Sequence, residues 1–203
     1  TITQEGSLNF TLNLTTAIIR VTDAQNNNIP FISITLNYNY TTNLDTPQNQ
    51  TATQSGQTNI TGLLQIDSLL TNITYTLNAS RYDQVFNQNN NTIQNLPQTD
   101  YEPITILLPP ETLHVTVIDA NDNPIQAATV TALEQTGGNS PTATTNSNGQ
   151  TDLALTFGKY LLSVYKDNIL LNQTNLDIFS EQNTTVDCQL YGLSITVSIV
   201  DYF

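Results

Sequence analysis

Short runs of alternating apolar and polar residues cover most of the chain. Val, Ile, Thr and Tyr alternate with polar side chains, and Asn, Gly and Pro interrupt the runs every few residues. A period of two with residues of these types is typical of half-buried β-strands joined by turns. The sequence shows no convincing helical period. The pattern therefore predicts an all-β protein.

The two halves of the sequence repeat one another. The aligned segments are residues 21–35 with 117–131, 58–62 with 145–149, and 75–81 with 160–166. Each copy reads as a strand, a turn rich in Asn and Asp, a second strand, a glycine-containing turn and further strands, which is typical of a small antiparallel β-sandwich. The pair Pro109 and Pro110 interrupts strand pairing between the copies. We expect two tandem β-sandwich domains, residues 15–110 and 111–203.

Residues 1–14 form a separate leading segment with one apolar and one polar face. The apolar positions of its alternating pattern are Leu8, Phe10, Leu12 and Leu14. An extended strand places all four side chains on one side, because successive side chains of a strand point in opposite directions. Two asparagines of the other side are N-glycosylation sequons, and a glycosylated face must point to solvent. We predict that the apolar face is a donor strand buried in another copy.

The two ends of the chain each resemble part of a sandwich. Residues 7–14 stand where the closing strand of a preceding domain would stand, and residues 193–201 resemble the opening strand of a repeat. Two such ends from different copies can complete one sandwich by donor-strand complementation. We predict the acceptor groove in the second domain, with the first domain as the alternative. The predicted groove residues are Leu193, Ile195, Val197 and Ile199.

The alternative is that residues 7–14 pair within their own chain. The chain would then have to reverse between residues 14 and 17, where the sequence has none of the Gly, Pro or Asn residues that favour tight turns. The sequence therefore favours the intermolecular arrangement. Because donor and acceptor surfaces differ, such contacts produce an open filament of identical subunits instead of a closed dimer.

Ten Asn-x-Ser/Thr sequons point to an extracellular protein with covalent N-linked glycans. Eight of them lie before residue 100, so sugar would coat the first half of the chain. A chain rich in Asn and Thr also generates sequons by chance, and this alternative stays open. The sequon asparagines are Asn9, Asn13, Asn39, Asn49, Asn59, Asn72, Asn78, Asn90, Asn172 and Asn183.

Charge and composition exclude several classes of function. The formal net charge of −13 argues against nucleic acid as a partner. The longest apolar runs are far shorter than the ~20 residues that a membrane-spanning helix needs. His114 is the single histidine, which excludes a multi-histidine metal site, and the sequence shows no cluster of catalytic side chains. We expect neither an enzyme nor a metal or organic cofactor.

Three further features have structural interpretations. Cys188 alternates with apolar residues and is expected in a core; as the single cysteine it forms no intrachain disulfide. His114 alternates with apolar residues that point the other way, which predicts a solvent-facing position. Residues 119–123 are similar to a calcium-binding linker, but the matching turn of the first repeat has lost an acidic residue. We predict a hairpin turn there, with calcium binding as the alternative.

The second repeat resembles the carboxypeptidase-regulatory-like group of Ig-like β-sandwich repeats. Residues 117–131, 145–150 and 158–160 carry the resemblance, which covers most of residues 111–190 and, more faintly, residues 15–108. It implies two Ig-like antiparallel β-sandwiches. Such repeats serve mainly as spacers and surface modules, so the resemblance implies no chemistry.

The chain as a whole resembles the subunit of the archaeal thread, a glycosylated extracellular filament of two-domain β subunits joined by donor strands. The start at Thr1, the leading strand, the two repeats, the sequon density and the scarcity of lysine carry this resemblance. It implies a structural homopolymer on the cell surface, similar in principle to chaperone–usher pilins, for adhesion or biofilm formation. The alternative is a monomeric cell-surface or S-layer-associated adhesive module that binds a glycan or protein receptor through loops such as residues 41–57.

Overall fold

The computed structural model describes residues 13–41, 48–87, 92–94, 96, 102–136, 140–192 and 198–199. Within these residues all regular secondary structure is β, so the all-β prediction is confirmed. This part of the chain contains no helix that could cross a membrane. Two compact units make up the chain, Thr1–Pro109 and Pro110–Phe203.

The first unit builds its described residues into two sheets. Its strands are β1 (Leu14–Thr22), β2 (Ser33–Thr41), β3 (Asn49–Gln57), β4 (Leu63–Leu70), β5 (Tyr75–Arg81), β6 (Gln84–Val85), β7 (Thr92–Ile93) and β8 (Ile104–Leu107). One sheet has the order β4-β1-β8, and the other has the order β3-β2-β5-β6 with β7 also paired to β5. The opening strand β1 runs antiparallel to β4 and parallel to β8.

The second unit repeats this arrangement. Its strands are β9 (Pro110–Asp119), β10 (Thr129–Glu134), β11 (Thr142–Thr144), β12 (Gln150–Thr156), β13 (Gly158–Lys166), β14 (Ile169–Ile178) and β15 (Gln182–Cys188). The sheet orders are β12-β9-β15 and β11-β10-β13-β14, and β9 runs antiparallel to β12 and parallel to β15. Each unit therefore places its opening strand beside its own closing strand. In both units these two strands run in the same direction.

Alternation along the strands places apolar side chains between the two sheets of each unit. Ile19 and Val21 of β1 are fully buried, as are Val115 and Val117 of β9. Cys188 at the end of β15 belongs to the core of the second unit, as its sequence pattern predicted. Burial raises the pKa of the Cys188 thiol, and nearby negative charge adds to the effect. The thiol is therefore held in its neutral form as a small apolar core group.

The same two turn residues recur in both units. Thr58 and Thr145 are buried, although threonine is usually an exposed residue. Gly62 and Gly149 have backbone φ angles of 71° and 69°, in the left-handed region that glycine adopts at little cost. These residues occupy matching positions of the sequence repeat, so the repeat preserves the turn as well as the strands.

Candidate assembly and attachment surfaces

Leu14, the last residue of the predicted donor segment, is the first residue of β1. It pairs with Leu70 of β4, and the backbone NH of Thr71 donates to the Asn13 carbonyl at 3.3 Å. Strand pairing within the first unit therefore extends back to residue 13, and the predicted donor role is wrong for Leu14, which lies in a strand of its own unit. The other predicted donor residues lie outside the described part of the chain, and their role stays a prediction. These residues are Leu8, Phe10 and Leu12.

The hydrophobic pattern changes phase where the leading segment enters β1. From residue 15 to residue 21 the buried side chains are the odd-numbered ones, Ile19 among them. Leu14 has the opposite parity and is 41% exposed. In the sequence, Leu8, Phe10 and Leu12 share the parity of Leu14. The apolar pattern of the leading segment is therefore out of phase with the side of β1 that packs into its own core.

Both units contain a closing strand from their own chain. β8 pairs with β1 through residues 104–107, and β15 pairs with β9 through residues 182–188. A donor strand would therefore add to a sheet edge instead of replacing either closing strand. Of the predicted acceptor residues, Ile199 is 95% exposed. The other three, Leu193, Ile195 and Val197, lie outside the described residues, so the groove position stays a prediction.

Strand β14 ends the described order of its sheet in the second unit. It is ten residues long, and its first residues, Ile169 and Leu170, expose their apolar side chains. The backbone of a long edge strand is a template for pairing with another chain. Among the described surfaces of the second unit, this edge is well suited to receive an extended strand.

The described sequon asparagines differ in exposure. Asn9 and Asn90 lie outside the described residues. The exposed ones are Asn13, Asn39, Asn49, Asn59, Asn72 and Asn183, and the half-buried ones are Asn78 and Asn172. An exposed side-chain amide is sterically open to a glycan, whereas a half-buried one depends on what surrounds its nitrogen. Occupancy of each site stays a prediction.

A polar groove of about 440 Å³ lies on the first unit, along β2 and the start of β5. It is lined by Asn37, Tyr38, Asn39, Asn72, Ile73, Thr74 and Thr76. Uncharged amides and hydroxyls of this kind match an uncharged polar ligand such as a glycan. Among the described features of the first unit, this groove is the best candidate for a ligand-binding site.

Residues 41–57, predicted as a binding loop, are largely a strand. β3 covers Asn49–Gln57 and pairs with β2 residue by residue, from Asn49 opposite Thr41 to Gln57 opposite Ser33. The loop prediction is wrong for this part. Its Thr, Ser and Gln residues read as a polar loop in the sequence, but their backbone is satisfied by the ladder with β2 and their alternate side chains form its outer face.

His114 lies between two carboxylates on the outer side of the sheet β12-β9-β15. Asp152 of β12 is directly opposite in register, and its Oδ1 is 2.7 Å from His114 Nδ1. Glu181, just before β15, places Oε1 at 3.0 Å from His114 Nε2. The hydrogen bonds of Glu181 and then Asp152 raise the pKa of His114. Burial and the charge of Glu181 raise the pKa of Glu111, a further acidic neighbour.

We expect the contact of protonated His114 with Asp152 and Glu181 to stabilise the second unit. Because the folded pKa of His114 is raised, the contribution is fully present below about pH 6.5 and is lost as the pH rises through the folded pKa. His114→Gln, which is neutral at every pH, should melt below wild type near pH ~5.5 and approach it near pH ~9. Thermal melts across this range test the effect; a melting difference independent of pH contradicts it.

The acidic turn after β9 satisfies its carboxylate internally. Asp119 Oδ1 accepts the backbone NH groups of Asn121 at 2.8 Å and Asn123 at 2.9 Å. These bonds, with the Asn123 side chain as the largest cause, lower the pKa of Asp119. The residues therefore adopt the hairpin-turn geometry that the sequence predicted. In the described residues, no group of three or more His, Cys, Asp or Glu side chains is arranged to hold a metal ion.

The sequence placed His114 on the solvent side but did not identify its partners. Asp152 and Glu181 are 38 and 67 residues away along the chain. Only the register of β12 and β15 against β9 brings them to the imidazole. The available signal was the strand pairing of the repeat, in which a polar residue on an outer face predicts polar cross-strand neighbours.

A comparison with protein families finds a match in the second unit. Residues 112–191 match the family model of the carboxypeptidase regulatory-like domain. This part of the second unit is therefore similar to that family, in agreement with the resemblance seen in the sequence. No curated protein matches the chain.

Solved structures similar to the chain include several pilins. The TIE protein of Bacillus anthracis is 16% identical with a TM-score of 0.41, and the match covers 87% of this chain and 34% of that one. The minor pilin GBS52 of Streptococcus agalactiae is 13% identical with a TM-score of 0.40, covering 91% and 100%. BcpA, the major pilin subunit of Bacillus cereus, is 14% identical with a TM-score of 0.37, covering 87% and 69%. The chain spans about a third of the TIE protein, and similarity at these identities concerns the fold alone.

Proposed function

We propose that the protein is a non-enzymatic structural subunit of an extracellular, N-glycosylated, pilus-like filament. Residues 1–12 of one copy, which precede β1, act as a donor strand that adds to a sheet edge of the next copy. The product is a head-to-tail homopolymer of the kind formed by the archaeal thread, with adhesion or biofilm formation as its role. Nucleic acid is not a partner, and the subunit carries no cofactor besides its glycans.

The phase change at Leu14 carries this proposal. The buried side of β1 is set by residues such as Ile19 and Val21, whereas the apolar residues before it have the opposite parity. A strand that served only its own sandwich would keep its apolar residues on the core side. An apolar face pointing away from that core needs another surface to cover it, and a second copy supplies one.

The energy available from this contact is large. Burying the three apolar side chains of the segment, Leu8, Phe10 and Leu12, at ~1.5 to 3 kcal/mol each yields roughly 4.5 to 9 kcal/mol before the costs of ordering are subtracted. Backbone hydrogen bonds along the strand add register and specificity. Because the donor segment and the acceptor edge are different surfaces, every added subunit leaves the same two ends open, and growth continues.

The second unit is our proposed acceptor. Residues 193–199 follow β15, and Ile199 presents an almost fully exposed apolar side chain. The edge strand β14 of the same unit exposes Ile169 and Leu170. Both features offer apolar contacts to an incoming strand, which supports an acceptor in the second unit.

Leu12→Asp is expected to abolish filaments, because it places a carboxylate on the apolar donor face. Sedimentation and electron imaging of the purified full chain measure the loss, as conversion of polymer to monomer. Ser7→Asp is the matched control, since it adds the same charge to the polar face outside every sequon. Unchanged filaments in Leu12→Asp, or equal loss in both variants, would remove the donor-strand role.

The second candidate is a monomeric adhesive module, and the groove beside Asn37 and Asn39 favours it. Its uncharged lining suits a surface glycan. This function predicts a monomer in the wild-type protein and glycan binding that is unaffected by Leu12→Asp. The same sedimentation experiment therefore separates the two candidates.

A further inference from the structure

The outer face of the sheet β3-β2-β5 consists entirely of hydroxyl and amide side chains. Ile34 and Leu36 of β2 and Leu77 of β5 point into the core, so the alternating residues between them point outward. The outward positions of residues 33–41, 49–57 and 76–80 are all Ser, Thr, Asn or Gln. This hydroxyl–amide face has neither a charged nor an apolar side chain among those positions.

Two sequons lie opposite one another on the hydroxyl–amide face. In the ladder between β2 and β3, Asn39 is opposite Thr51 and Thr41 is opposite Asn49. Thr41 and Thr51 are the third residues of the sequons that begin at Asn39 and Asn49. Each threonine donates its hydroxyl to the asparagine of the other sequon, at 2.8 Å for Thr51 to Asn39 and 2.9 Å for Thr41 to Asn49.

These bonds use the oxygen of each asparagine amide, and both asparagines are exposed. The acceptor atom is Oδ1 in both Asn39 and Asn49. N-glycosylation substitutes Nδ2, so the cross-strand bonds survive the modification. Asn78 of β5, opposite Thr35, adds a third sequon to the same face.

Asn172 of β14 is a sequon asparagine in a different setting. Its Nδ2 donates to the Asp187 carbonyl of β15 at 2.6 Å, and its Oδ1 accepts the backbone NH of Gln173 at 2.6 Å. Because a carbonyl can only accept and an NH can only donate, one amide orientation satisfies both partners. The nitrogen that a glycan would occupy is thus used to tie β14 to β15, which belong to different sheets.

We propose that Asn39, Asn49 and Asn78 carry N-linked glycans on one face of the first unit, and that Asn172 is a structural amide that stays unmodified. This inference rests on the N-glycosylation included in the proposed function. The sugar comes from a lipid-linked phosphate ester through an oligosaccharyltransferase of the cell. The new bond joins Nδ2 to the sugar C1 as the C1–O bond to the lipid phosphate breaks, and one amide proton leaves with the lipid phosphate.

Glycopeptide mass spectrometry of the protein purified from its own cells tests the assignment. We expect sugar on the peptides that contain Asn39, Asn49 and Asn78, and an unmodified peptide at Asn172. Thr41→Val should remove the glycan of Asn39 alone. A glycan found on Asn172, or bare asparagines at the three sites of the hydroxyl–amide face, would overturn the inference.

Two variants at the Asn172 sequon separate the structural role of its amide from glycosylation. Thr174→Val destroys the sequon but keeps the Asn172 amide, so glycan mass and melting temperature should both stay at the wild-type values. Asn172→Ala should also keep the glycan mass but should lower the melting temperature by roughly 4–8 °C, the shift expected for about one lost hydrogen bond in a unit of this size. Loss of sugar mass in both variants contradicts the proposal.

The test of glycan occupancy does not depend on filament assembly. Filaments without any sugar on the three asparagines would overturn this inference and leave donor-strand assembly standing. Glycosylated protein that stays monomeric would overturn donor-strand assembly and leave this inference standing. An unchanged melting temperature in Asn172→Ala would show that the amide does not hold β14 to β15, whatever its modification.

Discussion

Gly149→Ala is expected to destabilise the second unit by roughly 2 to 5 kcal/mol. Gly149 has a backbone φ of 69°, in the left-handed region where a residue with a Cβ is destabilised by about 1–2 kcal/mol. The added Cβ would also lie 2.5 Å from the Val117 carbonyl oxygen and 3.0 Å from Pro124 Cβ. That carbonyl accepts the Ile125 NH at 2.9 Å, so it cannot retreat without breaking the turn, and overpacking of this kind costs about 1–3 kcal/mol more.

Gly192→Ala is the matched control for this substitution. Gly192 has a similar φ of 78°, but the nearest atom to its added Cβ is Asp119 Oδ2 at 4.0 Å. The control therefore carries the conformational cost without the clash. Urea unfolding of the full chain measures both variants as shifts of the midpoint at constant slope. Equal losses in the two variants would show that the contact with Val117 is not responsible.

Thr145→Val is expected to destabilise the second unit by roughly 2 to 6 kcal/mol. Thr145 is 4% exposed, and its hydroxyl donates to the Ile125 carbonyl at 2.7 Å and accepts the Ala128 NH at 2.9 Å. Valine has nearly the same shape but no hydroxyl, so both backbone groups lose their partner inside the protein. A buried polar group without a partner costs about 1–3 kcal/mol.

Thr145→Ser separates the hydroxyl from the methyl group. Serine keeps both hydrogen bonds and loses one buried methyl, so its cost should be about 1 kcal/mol. The difference between the valine and serine variants in urea midpoint isolates the hydroxyl. If serine is as destabilising as valine, the hydroxyl bridge does not hold the turn. Thr58 makes the equivalent bonds, to the Ile29 carbonyl and the Ile32 NH, in the first unit.

Both substitutions fall on residues that the repeat aligns, yet the sequence did not reveal what they do. Matching Thr58 with Thr145, and Gly62 with Gly149, required only comparison of the two halves. The bonds from the Thr145 hydroxyl reach backbone groups 17 and 20 residues away. Such a role depends on how the second turn folds against the first, which no local pattern encodes.

The sequence by itself determined the features that depend on neighbouring residues. Alternation with a period of two predicted the strands and their buried sides, and Asn, Gly and Pro predicted the turns, because backbone sterics and side-chain direction act over a few residues. Internal similarity predicted the two sandwiches. The parity of Leu14 against Ile19 was also readable, although the buried side of β1 was needed to interpret it.

Only the tertiary structure decided which distant residues meet. The pairing of His114 with Asp152, the opposition of the sequons at Asn39 and Asn49, and the use of the Asn172 amide all follow from strand register. A shift of one residue in a ladder moves every side chain to the opposite face, so these contacts exist in one register alone. Register is set by the packing of the whole core, and the local sequence does not contain it.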